Sequence, residues 1–283
     1  MAEEKIQYNY RFIEQDEKGK PCHFHQFNGV NMTGGSSVVD VLGKTLTWWA
    51  SGLAVKEFSG IEDCKVLTKI KNGKATKEEK KEVQRVVLKW LEANKEITPE
   101  DYIKLCQKAY TAHAVRLDDT AQAGTDLHAE LERFVKNTMD DRMAEYDEKI
   151  QPYIEWSIKN VKKYLWSEAH CFNEDLFVGG ISDAGAEMQD GSYAIIDFKS
   201  AKQVYFSQFC QIAIYNLLID KNGLVDKNGF EIMKLDKPIT SFIVVPFGAF
   251  KFMPVINKNV EELKKSGLAC ITLYREKSKY EQY

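Results

Sequence analysis

In Tyr193-Ala194-Ile195-Ile196-Asp197-Phe198-Lys199-Ser200, two charged residues interrupt a run that is otherwise apolar and β-favouring. Aspartate and lysine are poor choices for a buried strand, because each loses hydration unless a partner compensates. Residues two apart in a strand point to the same face. Tyr193, Ile195, Asp197 and Lys199 therefore share one face, and Ala194, Ile196 and Phe198 the other. One reading is a structural ion pair at a sheet edge; the other is chemistry. A third charged residue, Asp183, closes Gly179-Gly180-Ile181-Ser182-Asp183 in the preceding strand. The turn Gln189-Asp190-Gly191 decides whether the aspartates meet. A two-residue Asp190-Gly191 turn pairs Asp183 with Phe198 and sends the carboxylates to opposite faces. A three-residue loop with Gly191 left-handed pairs Asp183 with Asp197. In that register two like charges stand side by side, which is destabilising unless a cation lies between them. Hard oxygen ligands suit Mg²⁺ or Mn²⁺.

Other chemistries are less well supported. His23 and His25 share a strand face by the period of two, but a third metal ligand is not close in sequence. Gly43-Lys44-Thr45 resembles the end of a phosphate-binding loop, yet Val38 stands where close backbone approach to phosphate requires glycine. An ATP site is therefore excluded there. Six cysteines are scattered as Cys22, Cys64, Cys106, Cys171, Cys210 and Cys270 with no C-x-x-C pair, so neither a zinc knuckle nor a disulfide framework is indicated. Most are expected to be buried thiols.

These residues need elements to hold them. Tyr8, Tyr10 and Phe12 alternate, Asp16 to Gly19 supply a turn, and His23 to Phe27 return, so residues 7 to 29 read as a hairpin. An apolar-rich helix is expected over 36 to 58. Thr76-x-x-Glu79 is a capping-box pattern, and Thr98-Pro99 an N-cap with proline at the first helical position. A new helix is expected to open at Gly124-Thr125, with Leu127, Leu131, Phe134 and Val135 as its apolar stripe, and another from Pro152 to Trp166. Strands follow at Ala169–Asn173, Val178–Met188 and Tyr193–Ser200, a helix at Phe206–Asp220, strands at Ser241–Pro246 and Phe250–Val255, and a helix near Val260. That order gives an α/β class: a mixed central sheet flanked by helices.

Placed in order, the motifs resemble those of a known family. Gly180-x-x-Asp183 followed by Ile196-Asp197-Phe198-Lys199 is similar to the signature of the PD-(D/E)XK nucleases. Gly124-Thr125-x-x-His128 resembles the first motif of their RecB-like exonuclease branch, and Gln211-x-x-x-Tyr215 its Gln/Tyr motif. Gly34 to Leu42, with Lys44 and Trp49, is similar to phage-type and mitochondrial genome maintenance members. The resemblance implies a restriction-endonuclease-like core and hydrolysis of phosphodiester bonds in DNA, more as an exonuclease than an endonuclease, in recombination, replication or repair. It implies one or two Mg²⁺ or Mn²⁺ ions held by Asp183 and Asp197, with His128 and the Phe198 backbone carbonyl as further ligands. Lys199 would orient the attacking water or stabilise charge on the phosphate, and Gln211 and Tyr215 would contact substrate or buttress Lys199. Glu130 and Glu132 are expected to be solvated, Glu132 lying one helical turn from His128. Only Cys270 follows Cys210, so the iron–sulphur cluster of one sub-branch is not implied. Two rivals are a lapsed nuclease kept as a DNA-binding or assembly subunit, and a metal-dependent phosphatase using the same carboxylates.

The expected division is a hairpin and helical region over 1–110, one wall of a DNA channel, and a nuclease core over 111–283. The net charge of −3 does not itself point to a polyanion. Between Lys65 and Lys89, however, nine basic residues stand against three acids. Such a run is usually a solvated face; on the nuclease reading Lys74, Lys77, Lys80 and Lys81 would contact phosphates, with Trp48 and Trp49 either packed in a core or stacking on bases. The partners implied are single- or double-stranded DNA and a recombination or replication protein. With no long apolar run and a polar beginning, no membrane association and a cytoplasmic location are expected.

Overall fold

The computed structural model describes residues 6–43, 47–248 and 252–280, with side chains at 47–50 and 113–123 also outside the description. Lys44, Thr45 and the side chains of Trp48 and Trp49 thus lie outside the described residues.

The chain begins with β1 (Tyr10–Gln15) and β2 (Pro21–Phe27), paired antiparallel as the alternation predicts. Gly19 takes φ +74° in the turn between them. Two short strands follow, β3 (Val30–Asn31) on β2 and β4 (Thr33–Gly34). The helix expected over 36–58 is instead α1 (Gly35–Val38), a 3₁₀ turn (Val39–Leu42) and α2 (Thr47–Ser59), the break falling at Gly43, whose φ of +64° is incompatible with a helix. Then come α3 (Lys65–Lys71), α4 (Lys77–Ala93) and α5 (Pro99–Met139). Both expected N-termini are present. Thr76 and Glu79 form the reciprocal capping box, and the Asp101 amide donates to Thr98 Oγ1 at 3.1 Å. Gly124 does not open a new helix: α5 runs through it, a single interior glycine costing only about 1 kcal/mol relative to alanine.

Asp183, Asp197, Lys199, Gln211 and Tyr215 lie on the elements that follow. They are α6 (Gln151–Asn160), β5 (Val161–Asn173), β6 (Val178–Met188), β7 (Tyr193–Lys199), α7 (Phe206–Asn222), β8 (Leu224–Val225), β9 (Glu231–Met233), β10 (Ile239–Pro246), β11 (Val255–Asn257) and α8 (Val260–Tyr280). The sheet order is β11-β10-β7-β6-β5-β8-β9, with β4 also on β6. β10 and β4 join parallel neighbours and the other pairs are antiparallel, so the sheet is mixed. The helix expected over 152–166 stops at Asn160. From Val161 onward the chain pairs with β6, and Val161, Tyr164 and Trp166 are buried in that sheet. The strand expected at Phe250–Val255 lies at Val255–Asn257; Phe250 falls outside the described residues.

Each face of the sheet has its own core. On one side Trp166, Cys171, Ile195, Phe242 and Val244 pack against Ile212, Ile214 and Leu218 of α7 and Leu263 and Ile271 of α8. On the other, Ala184, Ala194, Ile196, Phe198 and Val245 meet Leu131, Phe134 and Val135 of α5 and Tyr153 of α6. The alternation expected for β7 is therefore realised, Ile195 on one side and Ile196 and Phe198 on the other. Three cysteines are buried, Cys171, Cys210 and Cys270, and all six are free thiols.

The chain divides into two compact units, Met1–Gly43 with Gly124–Tyr283, and Lys44–Ala123. This differs from a boundary at 110. The hairpin belongs with the sheet because Tyr10 stacks on Phe172 of β5 at 4.8 Å, and its hydroxyl lies 2.6 Å from His25 Nδ1 and 3.3 Å from His170 Nδ1. In the second unit Phe58 of α2 stacks on Trp90 of α4 at 5.6 Å.

Candidate metal centre

The loop between β6 and β7 has the three-residue form. The Met188 amide donates to Ser192 O at 2.8 Å, the Gly191 amide to Met188 O at 2.9 Å, and Gly191 sits at φ +80°. The register runs Glu187↔Tyr193 to Ala184↔Ile196 and ends there. One step further sets Asp183 opposite Asp197. Counting from the bonded pair Met188–Ser192, this is a position where antiparallel partners exchange no ladder bonds and side chains stand closest. The next ladder bond is replaced: the Phe198 amide donates to Asp183 Oδ2 at 2.8 Å. The amide and carbonyl of one strand residue point to the same edge, so the Phe198 carbonyl is turned towards β6 as well.

Asp197 is 2% exposed. Its Oδ1 accepts from Lys199 Nζ at 2.8 Å, while Oδ2 is buried with no hydrogen-bond partner among the described residues. β7 lies between β10 and β6, so this ion pair is central in the sheet, not at an edge. Burial pushes the Asp197 carboxyl well above the usual carboxylate range; Lys199 pulls it back and Asp183 adds to the rise. Burial alone would lower the Lys199 ammonium, but Asp197, Asp183 and Glu168 outweigh it and hold it up. The lysine stays charged beside a carboxylate whose second oxygen is unsatisfied.

His128 projects from α5 to the same place. Its Nδ1 is 4.0 Å from Asp183 Oδ2, and its ring meets Phe198 edge-on with centroids 6.4 Å apart. One turn earlier Gly124 passes Ser200, where an added Cβ would lie 3.5 Å from Ser200 Oγ. Glu132 pairs with Lys136, and Glu130 with Arg133 at 2.6 Å, so both acids are held by partners on their own helix. Gln211 donates to the Tyr215 hydroxyl at 2.7 Å. Tyr215 lies against Gly180, where any Cβ would come within 2.5 Å of its ring. The glycine before Asp183 is thus a packing requirement of α7 on β6. Burial raises the Tyr215 hydroxyl, Gln211 opposes, and Asp197 and Asp183 add to the rise.

One acid at this centre is not expected from the sequence. Glu168 of β5 joins His128 and Asp183 in a group whose ligand atoms lie within 4.8 Å of one another. Burial, with Asp183 and Glu132 beside it, pushes its carboxyl up. The available signal is an acid between the apolar residues Trp166 and Ala169, but only the register of β5 on β6 shows what it faces. The pair His23 and His25 is not part of this group; His25 is buried with its Nδ1 against Tyr10.

The donor set fits a hard divalent cation. Two carboxylates and an imidazole converge, and on the neighbouring strand one buried oxygen of Asp197 is unsatisfied among the described residues. Lys74, Lys77, Lys80 and Lys81 are exposed in the second unit, on α4 and the turn before it. Lys69 there pairs with Glu79 at 2.6 Å and Arg85 with Glu82 at 2.8 Å. Among the described residues, no helix is long and apolar enough to cross a membrane. No protein-family model matches this chain, and no curated protein matches it.

Proposed function

We propose that this chain is a cytoplasmic Mg²⁺- or Mn²⁺-dependent deoxyribonuclease, an exonuclease by the same resemblance, acting in recombination, replication or repair. The observation that carries the reading is the meeting of Asp183 and Asp197 where β6 and β7 part, with Lys199 bonded to Asp197 and His128 4.0 Å from Asp183. A divalent cation bound there supplies a polarised phosphate oxygen and a water of lowered pKa. Asp183, Asp197 and His128 would supply ligands at this centre, and the Phe198 carbonyl faces the same edge. Lys199, fixed by Asp197 yet 22% exposed, presents a positive charge to the phosphate as negative charge builds up. Gln211, oriented by Tyr215, supplies a polar contact to substrate. Lys74, Lys77, Lys80 and Lys81 give the net-acidic chain a local positive surface for the DNA backbone.

End-labelled single- and double-stranded DNA incubated with Mg²⁺, Mn²⁺ or EDTA tests this, with a phosphomonoester as control. The expected result is metal-dependent shortening of DNA, abolished by EDTA, with the monoester untouched. Hydrolysis of the monoester alone, or DNA binding without cleavage, would contradict it.

A further inference from the structure

The carboxylates at this centre form a row across three adjacent strands. Ser167↔Ala184 and Ala169↔Ser182 pair on either side of Glu168, so Glu168 stands opposite Asp183, which in turn stands opposite Asp197. The row splits into two sets of donors. His128, Glu168 and Asp183 offer atoms within 4.8 Å of one another. Asp197 lies outside that group and presents a separate buried oxygen, Oδ2, with no partner among the described residues. Mg²⁺ and Mn²⁺ hold their oxygen ligands at about 2.1 Å, so atoms of one coordination sphere are at most about 4.2 Å apart. The first set needs to contract by only a few tenths of an ångström to fit one ion. The unsatisfied Asp197 oxygen is not within that common distance of all three.

We infer that Glu168 is a metal ligand: with His128 and Asp183 it forms one cation position, separate from a second between Asp183, Asp197 and the Phe198 carbonyl. Asp183 is shared by both. The inference rests on the metal-dependent reading above and adds to it a residue that the sequence motifs do not supply. Glu168 takes a left-handed backbone conformation, φ +47°, that turns it out of the regular alternation of β5.

Mn²⁺ alone, titrated into the full chain without DNA and followed by calorimetry and electron paramagnetic resonance, tests the assignment. Wild type should bind two Mn²⁺ and show the coupled signal of a carboxylate-bridged pair. Glu168→Gln should lose one equivalent, with affinity falling by more than the roughly 10- to 100-fold that loss of an outer partner costs. Asp197→Asn should lose the other equivalent and keep the one at His128 and Glu168, which tests the assignment even if Glu168→Gln folds poorly. Two Mn²⁺ bound with unchanged affinity by Glu168→Gln would overturn it, as would a single wild-type equivalent that Asp197→Asn removes. Either result leaves the metal-dependent reading intact. Wild type that binds no Mn²⁺ and cleaves no DNA defeats both.

Discussion

Lys199 and Asp197 form an ion pair that does two things at once. The lysine neutralises a carboxylate that is 2% exposed, and it keeps its own charge because three acids surround it. Removing the ammonium should therefore act on turnover more than on binding of the ion. Lys199→Ala is expected to lower kcat by about 10²–10³ while Mn²⁺ affinity remains within severalfold of wild type; near-normal turnover would remove Lys199 from the chemistry. Like charges packed together for function also weaken the metal-free fold. Asp183→Asn keeps an oxygen for the Phe198 amide and relieves that repulsion. It should raise the melting temperature in EDTA by about 2–4 °C, roughly 1 kcal/mol, and abolish the stabilisation that Mn²⁺ gives wild type. A melting temperature in EDTA below that of wild type would show that the acids do not repel one another in the folded state.

At the scale of elements, a loop fixes the site. Because side chains alternate, a one-residue slip between β6 and β7 would send Asp183 and Asp197 to opposite faces. Gly191 at φ +80° holds the three-residue loop. Gly191→Ala should cost about 1–2 kcal/mol, measured by urea denaturation, and no loss of stability would show that the loop does not depend on glycine. The basic helices make a separate prediction. Reversing Lys74, Lys77, Lys80 and Lys81 to glutamate should weaken DNA binding and flatten its salt dependence, the slope falling by about 0.9 for each phosphate the protein no longer neutralises. Unchanged slopes would make this stretch a solvated face only. Much of this is legible in the residues alone: β6, β7 and α7 lie close to where alternation and helical period put them, and the loop length can be weighed from glycine alone. Glu168 is not legible. Irregularities in β5 between Val161 and Lys163 and between Tyr164 and Trp166 shift its register on β6, and the left-handed turn at Glu168 hides it from a period of two. β8 and β9 are too short to show alternation, and α5 passes Gly124 because packing outweighs a single glycine.

For the whole molecule, stability should depend on pH through the hairpin's docking on the sheet. Burial, with the neighbouring His170 and His23, holds His25 down at about 4, and burial holds His170 near the same value. Below its usual pKa of about 6.5 each imidazole takes a proton in the unfolded chain but not in the folded one. Stability from these groups is therefore complete above about pH 6.5 and is lost as pH falls towards 4, by on the order of 1–3 kcal/mol for His25. Melting curves between pH 4 and 6.5 should be flatter for His25→Gln than for wild type; equal slopes would mean that His25 opens to water before it titrates. The division into compact units also follows packing that no composition change marks, since Tyr10 finds its partners in β5, far along the chain. Whether the carboxylates at the fork of β6 and β7 hold a metal ion against a DNA phosphate can be read by anomalous diffraction from crystals grown with Mn²⁺ and a short DNA strand. An anomalous peak is expected within ligand distance of Asp183, with His128 beside it and a phosphate oxygen bound to the same ion. A peak elsewhere, with Asp183 and Asp197 turned apart and the DNA lying away from Lys199, would contradict it.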